Sequence, residues 1–316
     1  MEPIWIVFHW KENLLMTKSS KQNNAQLIIF HLFLLLVFGL LFIVGTFHDE
    51  AIAKALYSPN LFVKYVSATG VFPFFAFAVL FFGALCERIL HSEKKKPIRI
   101  LLCALCLFLA TAVGFVGAGS LVDKDSLGYI FPTLNRNIPV IIGIFLVMNP
   151  LMLFGGYTLA KKSQDKNLTK KIIWLLILLA LSFFILQFCK NMFHRPRYRL
   201  AIAGYEGIDF IPWYKPFSNH LYYIENLGID KGEFRSFPSG HAILSMTMVI
   251  ILQAFTWFYE TLKKKRLFFG VLGLIFALII IFSRLSLGAH YLSDVSAGAF
   301  ISSLLALLYV IFESKE

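Results

Sequence analysis

Residues 267–294 read LFFGVLGLIFALIIIFSRLSLGAHYLSD. Leu267 to Ser283 are 17 residues without a charge, and about 17 is the lower limit for a helix that crosses the hydrocarbon of a bilayer. Arg284, His290 and Asp294 follow at once, so an apolar segment runs directly into ionisable side chains. Such residues bordering a span are costly and point to function by default. Working outward, seven more windows have the length and apolar character of spans: 27–47, 67–86, 100–120, 139–160, 172–189, 242–259 and 291–312. Window 139–160 contains Asn149-Pro150, which kinks a membrane helix without forbidding it, because neighbouring helices satisfy the freed backbone groups. The expected fold is all-α, a polytopic transmembrane helix bundle of about eight spans.

The composition of the 316-residue chain agrees. Hydrophobic residues make up 58% and charged residues 15%, the mean hydropathy is +0.71, and there are 34 Phe. Average soluble chains carry about 25% charged residues. A disordered chain, a nucleic-acid-binding module and a secreted disulfide scaffold are thereby excluded. The four cysteines, Cys86, Cys103, Cys106 and Cys189, fall in or beside apolar spans and read as packing residues. A net charge of +12 would suggest nucleic acid in a soluble chain; in a membrane protein it marks cytoplasmic loops, and no nucleic-acid partner is expected.

With the N-terminus placed inside, the inner segments hold 18 Lys and Arg and the outer ones 12. The short inner loops are dense, as at Lys94-Lys95-Lys96 and Lys263-Lys264-Lys265-Arg266, and the positive-inside rule then puts both termini in the cytoplasm. The chain divides into a cytoplasmic segment 1–26, a four-span region 27–160 and a second four-span region 172–312 with an outer loop 190–241. Segment 1–26 lacks the pattern of a removable signal peptide, and its Trp5, Phe8 and Trp10 are suited to the membrane interface. The outer loop breaks the charge rule with seven basic residues. A basic cluster on that face calls for an anionic partner.

Three polar clusters close the outer ends of the last four spans. The first is Lys190-Asn-Met-Phe-His-Arg195-Pro-Arg197-Tyr-Arg199, the second Ser236-Phe-Pro-Ser239-Gly240-His241, and the third Ser283-Arg284 with His290 and Asp294. Lys190, Arg197 and Arg284 supply cationic donors for phosphoryl oxygens. Ser239 and Gly240 open a helix, where backbone N–H groups face an anion and a glycine lets it come close. His290 and Asp294 are four apart and share a helix face, so the carboxylate can hold one imidazole nitrogen protonated and leave the other as a nucleophile. His241, from another helix, is placed to protonate a leaving oxygen. The cationic side chains stabilise charge themselves, so no metal and no cofactor is expected.

These clusters resemble the type-2 phosphatidic-acid phosphatases, which share a fold with the vanadium haloperoxidases. The family pattern is Lys-x6-Arg-Pro, then Pro-Ser-Gly-His, then Ser-Arg-x5-His-x3-Asp. Here Lys190 and Arg197 match the first, Pro238 to His241 the second, and Ser283, Arg284, His290 and Asp294 the third. One position departs, since Tyr198 stands where the first motif has Pro. Reading Arg195-Pro196 as that motif leaves only four residues after Lys190, so Arg197 is the preferred match, with Arg195 and Arg199 as accessory contacts. The resemblance implies a covalent phosphohistidine on His290, with His241 as acid and Lys190, Arg197, Ser239, Gly240 and Arg284 holding the phosphate. It also implies a six-helix phosphatase core, preceded here by two extra spans.

A site at the outer interface suits a membrane lipid phosphate, either a phosphomonoester or a polyprenyl diphosphate. The Lys-, Asn-, Ile- and Phe-rich composition is that of an AT-rich bacterial genome, which makes the expected location a bacterial plasma membrane. In the loop 200–237, aromatics such as Trp213, Tyr214, Tyr222 and Tyr223 are suited to rest on headgroups. A lipid phosphotransferase would use the same phosphohistidine with a second lipid as acceptor. A haloperoxidase is disfavoured, because those of this superfamily are soluble. A non-enzymatic transporter or scaffold would carry its ionisable residues near the bilayer midplane, whereas here they gather at one rim.

Overall fold

A computed structural model describes residues 4–314, with side chains over 24–313; the side chains of Trp5, Phe8 and Trp10 lie outside the described residues. Among the described residues every regular element is helical, and eight helices are long and apolar enough to cross a membrane. The chain is a multi-pass membrane protein. Its spans are α1 (Ile4–Leu56), α2 (Phe72–Leu90), α3 (Lys96–Val122), α4 (Ile138–Lys162), α5 (Leu168–Phe193), α6 (Gly240–Met246, continued by Met248–Ala254), α7 (Arg266–Ser286) and α8 (Leu292–Ser314). A short helix, Leu61–Ala68, leads into α2.

Local chemistry sets the ends. Pro73, Pro97 and Pro139 sit in the first turns of α2, α3 and α4, where a missing N–H costs nothing. Asn137 caps α4 by accepting from Val140 N at 3.3 Å. The helix α4 continues through Asn149-Pro150, so this window is a full span. At Thr247 the two parts of α6 meet, and the threonine hydroxyl donates back to Leu244 O at 2.7 Å, a local bond that competes with the helix ladder.

Burial orders the bundle. In α6, 89% of the span is buried, against 17% in α4, which puts α6 at the centre and α4 at the periphery. Around α6 stand α2, α5, α7 and α8, and α1 lies along α8. Leu34 and Phe38 of α1 join Ala242, Met246 and Val249 of α6 and Val295 and Ala299 of α8 in one apolar cluster. Helices α3 and α4 form a hairpin that packs chiefly on the outer face of α2. The approach is backbone to backbone: a Cβ on Gly83 would lie 2.1 Å from Leu153 O, and one on Gly156 would lie 1.7 Å from Leu80 O. Small residues permit such contact between membrane helices.

Helix α2 packs most extensively on α3 and α4 and also reaches α5 and α6, so the α3–α4 pair joins the bundle through α2. Helix α1, from the first four-span region, lies along α8 of the second. Hydropathy reports that a segment is apolar all round; it says nothing about which neighbour the segment chooses.

Candidate active site

The segments between α5 and α6 build a small dome over one end of the bundle. Leu200, Ile208, Tyr223, Ile229 and Phe234 form its core. Trp213 stacks on Phe237 with ring centroids 5.1 Å apart, and its Nε1–H donates to Thr46 of α1 at 3.0 Å. Thus Trp213 and Tyr223 serve the dome itself, while Tyr214 and Tyr222 remain exposed.

Beneath the dome lies a cavity of about 310 Å³, lined by Lys190, Arg197, Gly240, His241 and His290 together with Asp125 from the loop after α3. Its apolar wall includes Val71 and Phe75 at the start of α2 and Phe183 and Leu186 of α5. All three polar clusters thus meet at one rim. Lys190 ends α5 with its ammonium against Gly240, where an added Cβ would lie 3.1 Å from Nζ. The left-handed backbone of His194, at φ 47°, stops α5 and turns the chain toward the arginines.

His290 is wholly buried, and its Nδ1 lies 2.7 Å from Ser236 O. A carbonyl only accepts, so Nδ1 carries the proton and Nε2 keeps the lone pair. Burial lowers the imidazole from its ordinary 6.5 to about 3, with Asp294 pulling in the opposite direction, which leaves a neutral ring. The expected His290–Asp294 hydrogen bond is corrected here: Asp294 Oδ2 is 3.8 Å from Nδ1, too far for one. His290 lies in the turn before α8, not on its face. Asp294, in the first turn of α8, uses its carboxylate to accept from Tyr291 N at 2.8 Å and from Ser236 Oγ, and to pair with Arg195. It positions the Ser236 segment, and the Ser236 carbonyl orients the imidazole. His241 is buried at the start of α6, and its Nε2 has no hydrogen-bond partner.

The arginines separate. Arg197 meets Asp125 with two parallel bonds, Nη1 to Oδ1 and Nη2 to Oδ2, each 2.6 Å. Arg199 donates to Glu233 Oε2 at 2.9 Å and to Asp125 Oδ1 at 3.2 Å. Burial would raise the Glu233 carboxyl, but Arg197 and Arg199 hold it below its ordinary value. Arg284 donates to Ser67 Oγ at 2.8 Å, while its Nε and Nη2 find no acceptor. Arg195 is corrected as an accessory phosphate contact. It is fully buried away from the cavity, bonded to Asp294 Oδ1 at 2.6 Å, Asp49 Oδ2 and Ser293 Oγ at 2.9 Å each and Ile211 O at 2.8 Å, and its guanidinium lies 3.9 Å from the Tyr291 ring centroid. Ser239 also stays out of the lining; its Oγ caps α6 by accepting from Ala242 N at 3.3 Å.

Sequence reasoning missed the acids. Asp125, Asp49 and Glu233 neutralise part of the basic rim from within, so the anionic partner that the basic cluster calls for is partly internal. The signal was present in His48-Asp49-Glu50 and Asp123-Lys124-Asp125, carboxylates placed where apolar spans reach the same rim. Residues 171–316 match the family model described as PAP2 superfamily. No curated protein and no solved structure matches the chain.

Proposed function

We propose, from the match of residues 171–316 to the PAP2 superfamily model, that this membrane protein hydrolyses a lipid phosphate through a phosphohistidine. The observation that carries the reading is the pairing of His290 and His241 in one cavity with Lys190 and Arg197. His290 Nε2 attacks phosphorus and forms the N–P bond. The ester or anhydride P–O bond breaks, and His241 gives its proton to the departing oxygen. Water then attacks the phosphohistidine, His241 takes the water's proton, and inorganic phosphate leaves with Nε2 free again. Lys190, Arg197 and Arg284 balance the charge that grows on the phosphoryl oxygens, as fixed donors in a water-poor site do. Asp294 acts on this chemistry through Ser236, as a positioning residue. The substrate is a phosphomonoester or polyprenyl diphosphate whose tail lies along the apolar wall. The motif rim faces out of a plasma membrane, and the lysine-rich loops face the cytoplasm.

The test is phosphate release by purified protein in detergent with EDTA, across phosphatidic acid, phosphatidylglycerol phosphate and polyprenyl diphosphates. Release is expected to survive EDTA and to fall at least ~100-fold in His290→Ala and in His241→Gln. Release from none of these lipids by folded protein overturns hydrolysis, and a second lipid supplied as acceptor then tests phosphotransfer.

A further inference from the structure

Arg197 sits where the resemblance puts a phosphate ligand, and both of its Nη groups are already taken. The Asp125 carboxylate meets it as a fork on a fork, the geometry with which arginine also takes a phosphate. Asp125 comes from the loop after α3, outside the region that matches the family. The loop is shaped to present it: Asp125 N bonds Asp123 Oδ1 at 3.1 Å, and Ser126 N and Gly128 N bond Asp123 O at 2.8 and 3.1 Å. Lys124 pairs with Asp230, tying the loop to the dome.

A carboxylate fits this seat incompletely. Arg284 Nη2 lies 3.6 Å from Asp125 Oδ1, beyond hydrogen bonding, and Arg284 Nε and Arg197 Nε are buried without acceptors. Lys190 lines the same cavity. A planar group with two oxygens leaves donors unmet that a tetrahedral group with more oxygens would meet.

We propose that Asp125 is a built-in competitor for the phosphoryl seat and thereby a specificity-determining residue. This inference rests on the phosphatase reading. To bind, an incoming group displaces a carboxylate of charge −1 from Arg197. A phosphomonoester dianion brings more charge and three terminal oxygens, so it gains on exchange. A phosphodiester headgroup is a monoanion with two free oxygens and gains nothing. The bilayer around the site is built of such diesters at far higher concentration than any monoester, and Asp125 keeps them out by repulsion and occupancy, a device of selection against the wrong ligand. The cost is a weaker apparent affinity for the right one, in proportion to how far the Asp125-bound state is favoured.

The experiment uses full-length protein in detergent. Inorganic phosphate binding is measured by calorimetry, and inhibition of monoester hydrolysis by phosphatidylglycerol is measured alongside. In Asp125→Asn, phosphate affinity is expected to rise at least ~10-fold and inhibition by phosphatidylglycerol to strengthen by a larger factor. Should Asp125→Asn fail to fold, Gly128→Ala replaces it. An added Cβ at Gly128 would lie 2.6 Å from Val122 O and 2.9 Å from Asp123 O, so the loop shifts and moves the carboxylate off its seat; the same direction of change is expected. Unchanged or weaker phosphate affinity in the folded variant overturns the inference, even where lipid hydrolysis by the parent protein stands. Tighter phosphate binding in the variant, in a protein that hydrolyses none of the lipids, keeps the seat and overturns the hydrolase.

Discussion

Arg195 lies fully buried between Asp49 and Asp294, whereas Arg197, two residues on, faces the cavity. Breaking a buried ion pair by removing one partner costs about 3–5 kcal/mol, because the remaining charge stays buried and unmatched. Arg195→Ala strands two carboxylates at once, so it is expected to lose thermal stability in detergent by that order. In Arg197→Ala the Asp125 and Glu233 carboxylates keep Arg199 as a partner, so a smaller stability loss than in Arg195→Ala is expected, with turnover down at least ~100-fold, as removal of a donor to a charged transition state does. Melting curves and kcat/KM on the two variants check this. An Arg195→Ala protein with unchanged melting and poor turnover would return Arg195 to the phosphate. The motif spacing made Arg197, His241 and His290 legible, because a span end, a helix start and a tight turn fix each locally. Asp125 was not legible: its bond to Arg197 joins residues 72 apart, and no local pattern encodes a partner at that distance.

At the scale of elements, the glycine seam between α2 and α4 decides whether the α3–α4 hairpin stays in place. Gly156→Leu puts a side chain where Leu80 O and Ala84 N already stand, 1.7 and 2.9 Å from its Cβ. Neither atom belongs to a flexible side chain, so the hairpin must move away from α2. Hydrogen exchange is expected to show lost protection in α3 and α4, with α5–α8 retaining theirs, since segments with few shared contacts open separately. Equal loss across all eight helices would mean that the bundle unfolds as one unit. The eight windows read from hydropathy correspond to eight helices, because length and apolar character alone bring a segment into the membrane. Which neighbour each helix takes was illegible for the same reason: α1 and α3 are similarly apolar, and only the shape of their facing surfaces sends one to α8 and the other to α2.

For the whole molecule, the lysine-rich loops and the motif rim lie at opposite ends of the spans, which predicts a sidedness. In a cysteine-free background, Ser218→Cys on the exposed dome is expected to react with an impermeant maleimide in intact cells. Lys264→Cys, between α6 and α7, is expected to react only after the membrane is opened. The reverse pattern would turn the active site to the cytoplasm and retire the charge argument. The cavity adds a further consequence. Its lining combines Val71, Phe75 and Phe183 with Lys190, Arg197 and two histidines. On the proposed hydrolysis, a lipid phosphate cut between tail and phosphate yields one fragment that dissolves in oil and one that dissolves in water. Each is diluted into its own phase, so the two do not meet again at the concentrations that reversal requires. Partition between phases, with no coupled energy source, then drives the step to completion.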